Sequence, residues 1–93
     1  MQTALKTRIS SPRKTNKAKL QRDPRREVLR KLGEKIRLIR HQRALTQEAL
    51  ADALGLSVAY VSLIERGGRN PPYTTVVAIA QALGVSPREL CAD

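Results

Sequence analysis

Lysine and arginine are the side chains through which this 93-residue sequence could do chemistry, and that chemistry is the binding of a polyanion. Eighteen of them stand against eight Asp and Glu, and the formal net charge of +10 favours nucleic acid or an anionic membrane surface as the partner. One histidine, His41, and one cysteine, Cys91, supply neither a metal cluster nor a nucleophile–base pair. No apolar run approaches the roughly 18 residues of a membrane-spanning helix. The composition therefore predicts a small binding protein that is not an enzyme and needs no cofactor.

A second group of residues, within 47–66, has the spacing of two short helices joined by a tight turn. Two helices can cross steeply through such a turn only if a small residue lies at the crossing, the turn admits a positive φ, and the second helix buries aliphatic side chains toward the first. These requirements are met in turn by Ala51, by Gly55, and by Val61 with Ile64. The segment therefore predicts a helix-turn-helix, whose second helix lies in the major groove of DNA.

Helical periodicity extends over the rest of the chain from residue 25 onward. Apolar residues three or four positions apart line one face of the first helix, and polar or glycine residues mark where each helix begins and ends. The predicted helices run from Arg25 to Arg43, from Gln47 to Leu54, from the Ser57 cap to Gly67-Gly68, from Thr75 to Leu83, and from a Ser86-Pro87-Arg88-Glu89 capping box to Leu90. No segment alternates with the period of two that a strand needs. The sequence therefore predicts a compact all-α domain of five helices.

Positive charge is concentrated at the N-terminal end of the sequence. Residues 1–26 hold nine basic side chains and one acid, a net charge of +8, whereas residues 27–93 hold nine basic side chains and seven acids. Because the first segment has too few apolar residues to offset its ordering entropy, we predict a disordered basic arm over residues 1–24 and a folded domain over residues 25–93. The arm could be a solvated tail, a targeting peptide or a DNA-binding extension. Its charge favours DNA contact through counterion release.

The predicted domain resembles the phage lambda repressor/Cro-like helix-turn-helix family over about two thirds of the chain, roughly residues 29–90. The residues that carry the resemblance are Thr46-Gln47-Glu48, Leu50-Ala51, Leu54-Gly55, Ser57, Tyr60-Val61-Ser62, Ile64-Glu65-Arg66-Gly67, Arg69-Asn70-Pro71 and Ala82-Leu83-Gly84-Val85-Ser86. A lone glycine between two helices would be a weak signal, but this many positions in register is a specific one. The resemblance implies a five-helix lambda repressor-like DNA-binding domain, double-stranded DNA as its partner, and a bacterial or phage setting.

The resemblance also implies roles for single positions. Gln47, at the start of the second helix, matches the residue that anchors a phosphate. Arg40 and Glu65 match an ion pair between the first and third helices, which we expect here in place of two solvated charges because Glu65 would be poorly hydrated alone. The base-reading positions hold Val58, Ala59, Ser62 and Leu63, and further backbone-contacting positions hold Tyr60, Arg66, Arg69 and Asn70. For Tyr60 and Asn70 a structural role, as a partly buried ring and a turn residue, is equally open.

The base-reading positions depart from the better-characterised members of that family, which place Gln, Asn or Arg there for bidentate bonds to purine edges. Val58 and Ala59 offer only apolar contact, most usefully to a thymine methyl group, and Ser62 offers one hydroxyl. A bidentate contact contributes about 1–3 kcal/mol of discrimination, so direct readout should be modest and selectivity should depend on DNA shape and on Arg66 or Arg69. The alternative is that this face meets a protein instead of DNA.

Dimerisation through the C-terminal helix is a further implication of the resemblance. The expected contacts are Leu83, Val85, Leu90 and Cys91. In a dimer the two recognition helices should lie about 34 Å apart, one turn of DNA. We therefore expect a cytoplasmic, nucleoid-associated homodimer that regulates transcription by occupying a promoter operator. Two alternatives stay open: an antitoxin or other protein-interaction module that uses the recognition-helix face, and a nonspecific DNA binder driven by the arm.

Overall fold

Five α-helices account for the secondary structure of residues 24–91, the part of the chain that the computed structural model describes. The helices are α1 Pro24–Gln42, α2 Gln47–Leu54, α3 Val58–Glu65, α4 Tyr73–Leu83 and α5 Pro87–Cys91. No strand occurs within these residues, and the predicted all-α class is confirmed. The predicted basic arm, apart from Pro24, lies outside the described residues.

The short helices begin at side chains that satisfy the free N–H groups of their first turn. Thr46 Oγ1 accepts an N–H from the first turn of α2 at 3.0 Å, and Ser57 Oγ accepts one from the first turn of α3 at 3.1 Å. At α5 the Glu89 carboxylate accepts the backbone N–H of Ser86, which is one of the two bonds of the predicted capping box. The Ser86 hydroxyl donates to the same carboxylate, and the Glu89 N–H donates to the Ser86 carbonyl. Because caps start α2 and α3 so sharply, only three residues separate these two helices.

Five helix boundaries differ by one or two residues from the prediction, including the start of α1 at Pro24 and the end of α5 at Cys91. The end of α1 comes one residue early, where Ala44 adopts a left-handed φ of +58° that a glycine would usually occupy. The end of α3 is Glu65, before the predicted glycine pair Gly67-Gly68. The start of α4 is Tyr73, because the carbonyl of Pro72 already accepts the N–H groups that open its first turn. Backbone hydrogen bonds of this kind can be made by almost any residue, so residue types alone do not mark these boundaries.

The hydrophobic core lies where the five helices meet. Helix α1 packs against α3, α4 and α5, and helix α2 packs against α3 and α4. The largest side chains in the core are Ile36, Leu50, Ile64, Ile79, Leu83 and Leu90. Since α3 is held between α1 and α2 on one side, its other side is left free to face outward. The fold therefore presents α3 as the predicted helix-turn-helix requires.

Two of the four residues predicted to form the dimer contact are in this core instead. Leu83 and Leu90 are each only 1% exposed, so a second copy of the chain cannot reach their side chains and the prediction for these two is wrong. The physical reason is that α5 folds back against both α1 and α4 and buries Leu90 between them. Val85 is half-buried against the core and Cys91 is exposed.

Candidate nucleic-acid interface

The turn between α2 and α3 is built from one glycine and one small residue. Gly55 takes a left-handed φ of +68°, and a Cβ at this position would meet nothing within 4 Å, so its role is conformational and not steric. Its backbone N–H returns to α2, and the N–H of Leu56 donates to the Ala51 carbonyl at 2.9 Å. Ala51 itself is buried, as a close crossing of two helices demands.

Helix α3 has an inner face that belongs to the core and an outer face that does not. Val61 and Ile64 are buried against the rest of the domain. Of the residues predicted to read bases, Val58 and Ala59 are exposed, whereas Ser62 and Leu63 are half-buried. The outer face therefore carries two exposed apolar side chains and, beside them, one hydroxyl and one leucine on the flank.

Tyr60 and Leu63 have packing roles as well as a place on this helix. The Tyr60 ring is half-buried and packs against the core. Leu63 lies beside the turn that follows α3, since a Cβ on Gly68 would be 3.4 Å from Leu63 Cδ2. Both side chains thus help to fix α3 on the domain while reaching its surface.

A buried ion pair joins the first and third helices. Arg40 Nε donates to Glu65 Oε2 at 2.6 Å, and Arg40 Nη2 donates to Glu65 Oε1 at 3.0 Å. Arg40 Nη1 also donates to the carbonyl of Leu45 at 2.8 Å. The two charged residues are 7% and 5% exposed, so the pair is shielded from water and fixed in geometry.

Gln47, the predicted phosphate anchor, belongs to the same network. Its Nε2 donates to Glu65 Oε1 at 3.0 Å, so the carboxylate accepts from two helices at once. Burial raises the pKa of Glu65, but the hydrogen bonds from Arg40 and Gln47, with the charges of Arg40 and Arg37, more than offset it and hold that pKa below its ordinary value. Glu65 is therefore an ionised acceptor at neutral pH.

Gly33 is the important position that the sequence reasoning missed. It lies in the middle of α1 and is buried where α1 meets the end of α3. A Cβ here would lie 2.7 Å from the carbonyl carbon of Glu65 and closer still to the carbonyl oxygens of Ile64 and Glu65. Only glycine permits this approach, and the signal that could have found it was a glycine inside an otherwise helical pattern.

The loop after α3 carries the remaining predicted backbone contacts. Arg66 follows the last residue of α3 and is exposed, with its Nε 3.4 Å from the carbonyl oxygen of Ser62. Arg69 and Asn70 are also exposed on this loop. The loop therefore places two guanidinium groups just beyond the C-terminal end of α3, where they complement the partial negative charge of the helix end.

The described residues contain little that suggests another kind of chemistry. Within residues 24–91 no three His, Cys, Asp or Glu side chains are grouped as a metal site would need. Among the same residues, no helix is both long and apolar enough to span a bilayer. The site that these residues form is the outer face of α3, with Arg66 and Arg69 exposed beyond its C-terminal end.

Comparison with known proteins points to one family. A sequence model of the helix-turn-helix family matches residues 36–90. The chain is 46% identical over 63 residues to the uncharacterized HTH-type transcriptional regulator y4dJ of Sinorhizobium fredii, which covers 67% of this chain and 82% of that protein. It is 42% identical over 59 residues to the control protein C.BamHI of Bacillus amyloliquefaciens, covering 62% of this chain and 73% of that protein. The crystal structure of the restriction-modification controller protein C.AhdI from Aeromonas hydrophila superposes with a TM-score of 0.65 and 42% identity, covering 67% of this chain and 94% of that one.

Proposed function

Because this chain belongs to the helix-turn-helix family of DNA-binding transcriptional regulators, we propose that it occupies a promoter operator as a homodimer, with α3 of each subunit in the major groove. The observation that carries the proposal is the two-faced α3. Its inner side chains are fixed in the core, and Val58 and Ala59 are exposed on its outer side. A rigid helix with an exposed, small-residue face can approach base edges closely.

Base readout by this face is mostly apolar. Val58 is 38% exposed and, with Ala59, fits against the methyl group of thymine. Ser62 adds a hydroxyl that can donate to or accept from a base edge. Since no side chain here makes a bidentate contact, the proposed operator is selected partly through DNA shape, with Arg66 and Arg69 on the flanking backbone or in a narrowed minor groove.

Phosphate contacts are proposed on both sides of α3. On one side, the N-terminus of α2 has the Gln47 amide, of which one N–H is bound to Glu65. It also has the backbone N–H groups of its first two residues, for which the described residues provide no acceptor. On the other side, Arg66 and Arg69 are exposed on the loop. These contacts orient α3 on the duplex, so that its outer face lies against the base pairs in one fixed alignment.

For the homodimer, the exposed face of α5 and the neighbouring start of α1 replace the buried leucines as the proposed contact. Val28 on α1 is 62% exposed and Cys91 on α5 is exposed, and both line an apolar cleft of about 340 Å³ between these helices. To bind on the same side of the duplex, the two α3 helices of this homodimer must lie about 34 Å apart, one turn of DNA. The likeness to two control proteins supports regulation as the role of the assembly.

Selection of random duplex DNA by the full-length protein at physiological salt tests the proposal, with a chain that begins at Arg25 compared in parallel. We expect both to enrich one inverted repeat, bound at least about 10³ times more tightly than random sequence. The full-length chain should bind more tightly and with a steeper salt dependence if the basic arm contacts phosphates.

Two results would contradict the proposal and favour a different class of protein. Binding of all sequences alike by the full-length chain, with none by the shorter chain, would make the protein a nonspecific DNA binder driven by the arm. If neither chain binds DNA, and a protein partner binds stoichiometrically in a way that depends on Val58, the outer face of α3 is a protein-interaction surface.

A further inference from the structure

One carboxylate, that of Glu65, accepts hydrogen bonds from two different helices. Its Oε2 takes one bond from Arg40 on α1, and its Oε1 takes one from Arg40 and one from Gln47 on α2, at 3.0 Å each. Glu65 is the last residue of α3, so the network joins the end of the recognition helix to the start of the helix before it. No buried side-chain nitrogen or oxygen among the described residues lacks a partner.

The carboxylate also determines which way the Gln47 amide faces. An ionised carboxylate can only accept, so the atom of Gln47 that faces it must be Nε2 and not Oε1. A primary amide has two N–H donors, and Glu65 uses one of them. The second N–H is left for another acceptor.

Gln47 lines an open cleft at the N-terminus of α2. The cleft has a volume of about 390 Å³ and includes Thr46 and Glu48 of the same helix end. Gln47 is half-buried there, whereas the carboxylate that holds it is nearly inaccessible. A buried acceptor behind the amide and open space around it is the arrangement expected of a donor that is fixed before its ligand arrives.

We propose that Glu65 is a positioning residue for DNA binding: it holds the Gln47 amide with its second N–H available to a phosphate oxygen. The inference rests on the proposed function, because it concerns the phosphate contact of that function. A free glutamine side chain loses rotamer entropy when it binds, and the hydrogen bond to Glu65 removes much of that loss in advance. The same hydrogen bond makes the phosphate contact on α2 depend on the position of α3. The residues that anchor the DNA backbone and those that read the bases are therefore held in a fixed position relative to each other.

A double-mutant cycle on DNA affinity tests the role of Glu65. Gln47→Ala is measured in the wild-type chain and in a chain with Arg40→Met and Glu65→Leu, which replaces the buried pair with apolar side chains and avoids an unpaired charge. We expect Gln47→Ala to raise the Kd about tenfold in the wild type, the effect of losing a hydrogen bond to a charged group, and less than about twofold in the second background. Gln81→Ala, on the exposed side of α4, is the matched control and should change neither Kd.

Hydrogen exchange of the Gln47 side-chain amide, measured in the free protein, distinguishes a positioning role of Glu65 from a purely structural one. In the wild type, one amide proton of Gln47 should exchange with solvent more slowly than those of Gln81. The chain with Arg40→Met and Glu65→Leu should lack this difference, because leucine at position 65 cannot accept a hydrogen bond. This measurement needs no DNA. The comparison of Gln47 with Gln81 is made in the wild-type chain alone, so it does not depend on whether a variant folds.

Equal effects of Gln47→Ala in the two backgrounds would overturn the proposal, as would a Gln47 amide that exchanges like that of Gln81. No effect of Gln47→Ala on the affinity of a wild-type chain that does bind DNA would overturn it too. A wild-type chain that binds no duplex contradicts the proposed function instead, and that result is seen in the first titration, before any variant is compared.

Discussion

Replacement of Gly33 by alanine is the perturbation that most directly tests how α3 is held. A Cβ at this position would be 2.7 Å from the carbonyl carbon of Glu65 and closer still to two carbonyl oxygens at the end of α3. These are backbone atoms, which cannot rotate away as a side chain could. Helices α1 and α3 would therefore have to separate locally by about 1 Å to restore ordinary carbon contact distances.

The expected cost of Gly33→Ala follows from two opposing effects. Overpacking of a close-packed site costs about 1–3 kcal/mol, and the upper end applies here because backbone opposes the new methyl group. Alanine recovers about 1 kcal/mol over glycine within a helix. The net decrease in the free energy of unfolding should be about 2 kcal/mol, which lowers the Tm by about 10 °C for a domain of this size. The same separation displaces Glu65, so DNA affinity should fall even at temperatures where the variant is folded.

Urea unfolding followed by far-ultraviolet circular dichroism measures this cost, with Gly84→Ala as the control. Gly84 has a φ of +76°, and a Cβ there would meet nothing within 4 Å, so the control carries conformational strain of about 1–2 kcal/mol but no clash, and it should leave DNA affinity unchanged. A Gly33→Ala chain as stable as the wild type, with undiminished DNA affinity, would refute the close approach of α1 to α3.

Three further predictions concern the charged residues. Glu65→Ala leaves Arg40 buried and unpaired and should lower the free energy of unfolding by about 3–5 kcal/mol in urea unfolding, whereas Arg40→Met with Glu65→Leu should leave it unchanged or raise it. The pKa of Glu65 in the folded protein lies below its ordinary value of 4.5, so its ionised form stabilises the fold at pH values above 4.5. This contribution to the free energy of unfolding is lost as the pH falls through the folded-state pKa. In an acid titration of stability, Glu65→Gln should lack this loss. Arg69→Ala should weaken binding to all duplexes alike and reduce the slope of log Kd against log salt by about 1, and an unchanged slope would remove Arg69 from the phosphate contacts.

Much of the fold could be predicted because its determinants are local. Thr46 and Ser57 cap the helices that they precede, and Gly55 provides the positive φ of the turn, so the limits of α2 and the start of α3 follow from residue type. Apolar spacing likewise identified the buried face of α3. The end of α1 was harder to predict, because Ala44 adopts a left-handed φ although alanine is not a residue type that favours this conformation.

What the sequence did not reveal depends on contacts between distant segments. The approach of Gly33 to the end of α3, the hydrogen bond from Arg43 Nε to the Leu83 carbonyl at 3.0 Å, and the bond from Gln47 to Glu65 join residues 18 to 40 positions apart. The burial of Leu83 and Leu90 has the same origin, since periodicity marks a residue as apolar without saying whether its own chain or a second copy covers it.

A change of DNA sequence preference tests the central claim, that the outer face of α3 reads base pairs. Operators would be selected from random duplexes with the wild-type chain and with Val58→Gln, which places a bidentate donor–acceptor where the wild type has an exposed isopropyl group. If this face lies against the bases, one base pair in each half-site should change to favour adenine, with about 1–3 kcal/mol of discrimination, while the rest of the inverted repeat is unchanged. An identical selected sequence for both chains would contradict the placement of this face against the bases.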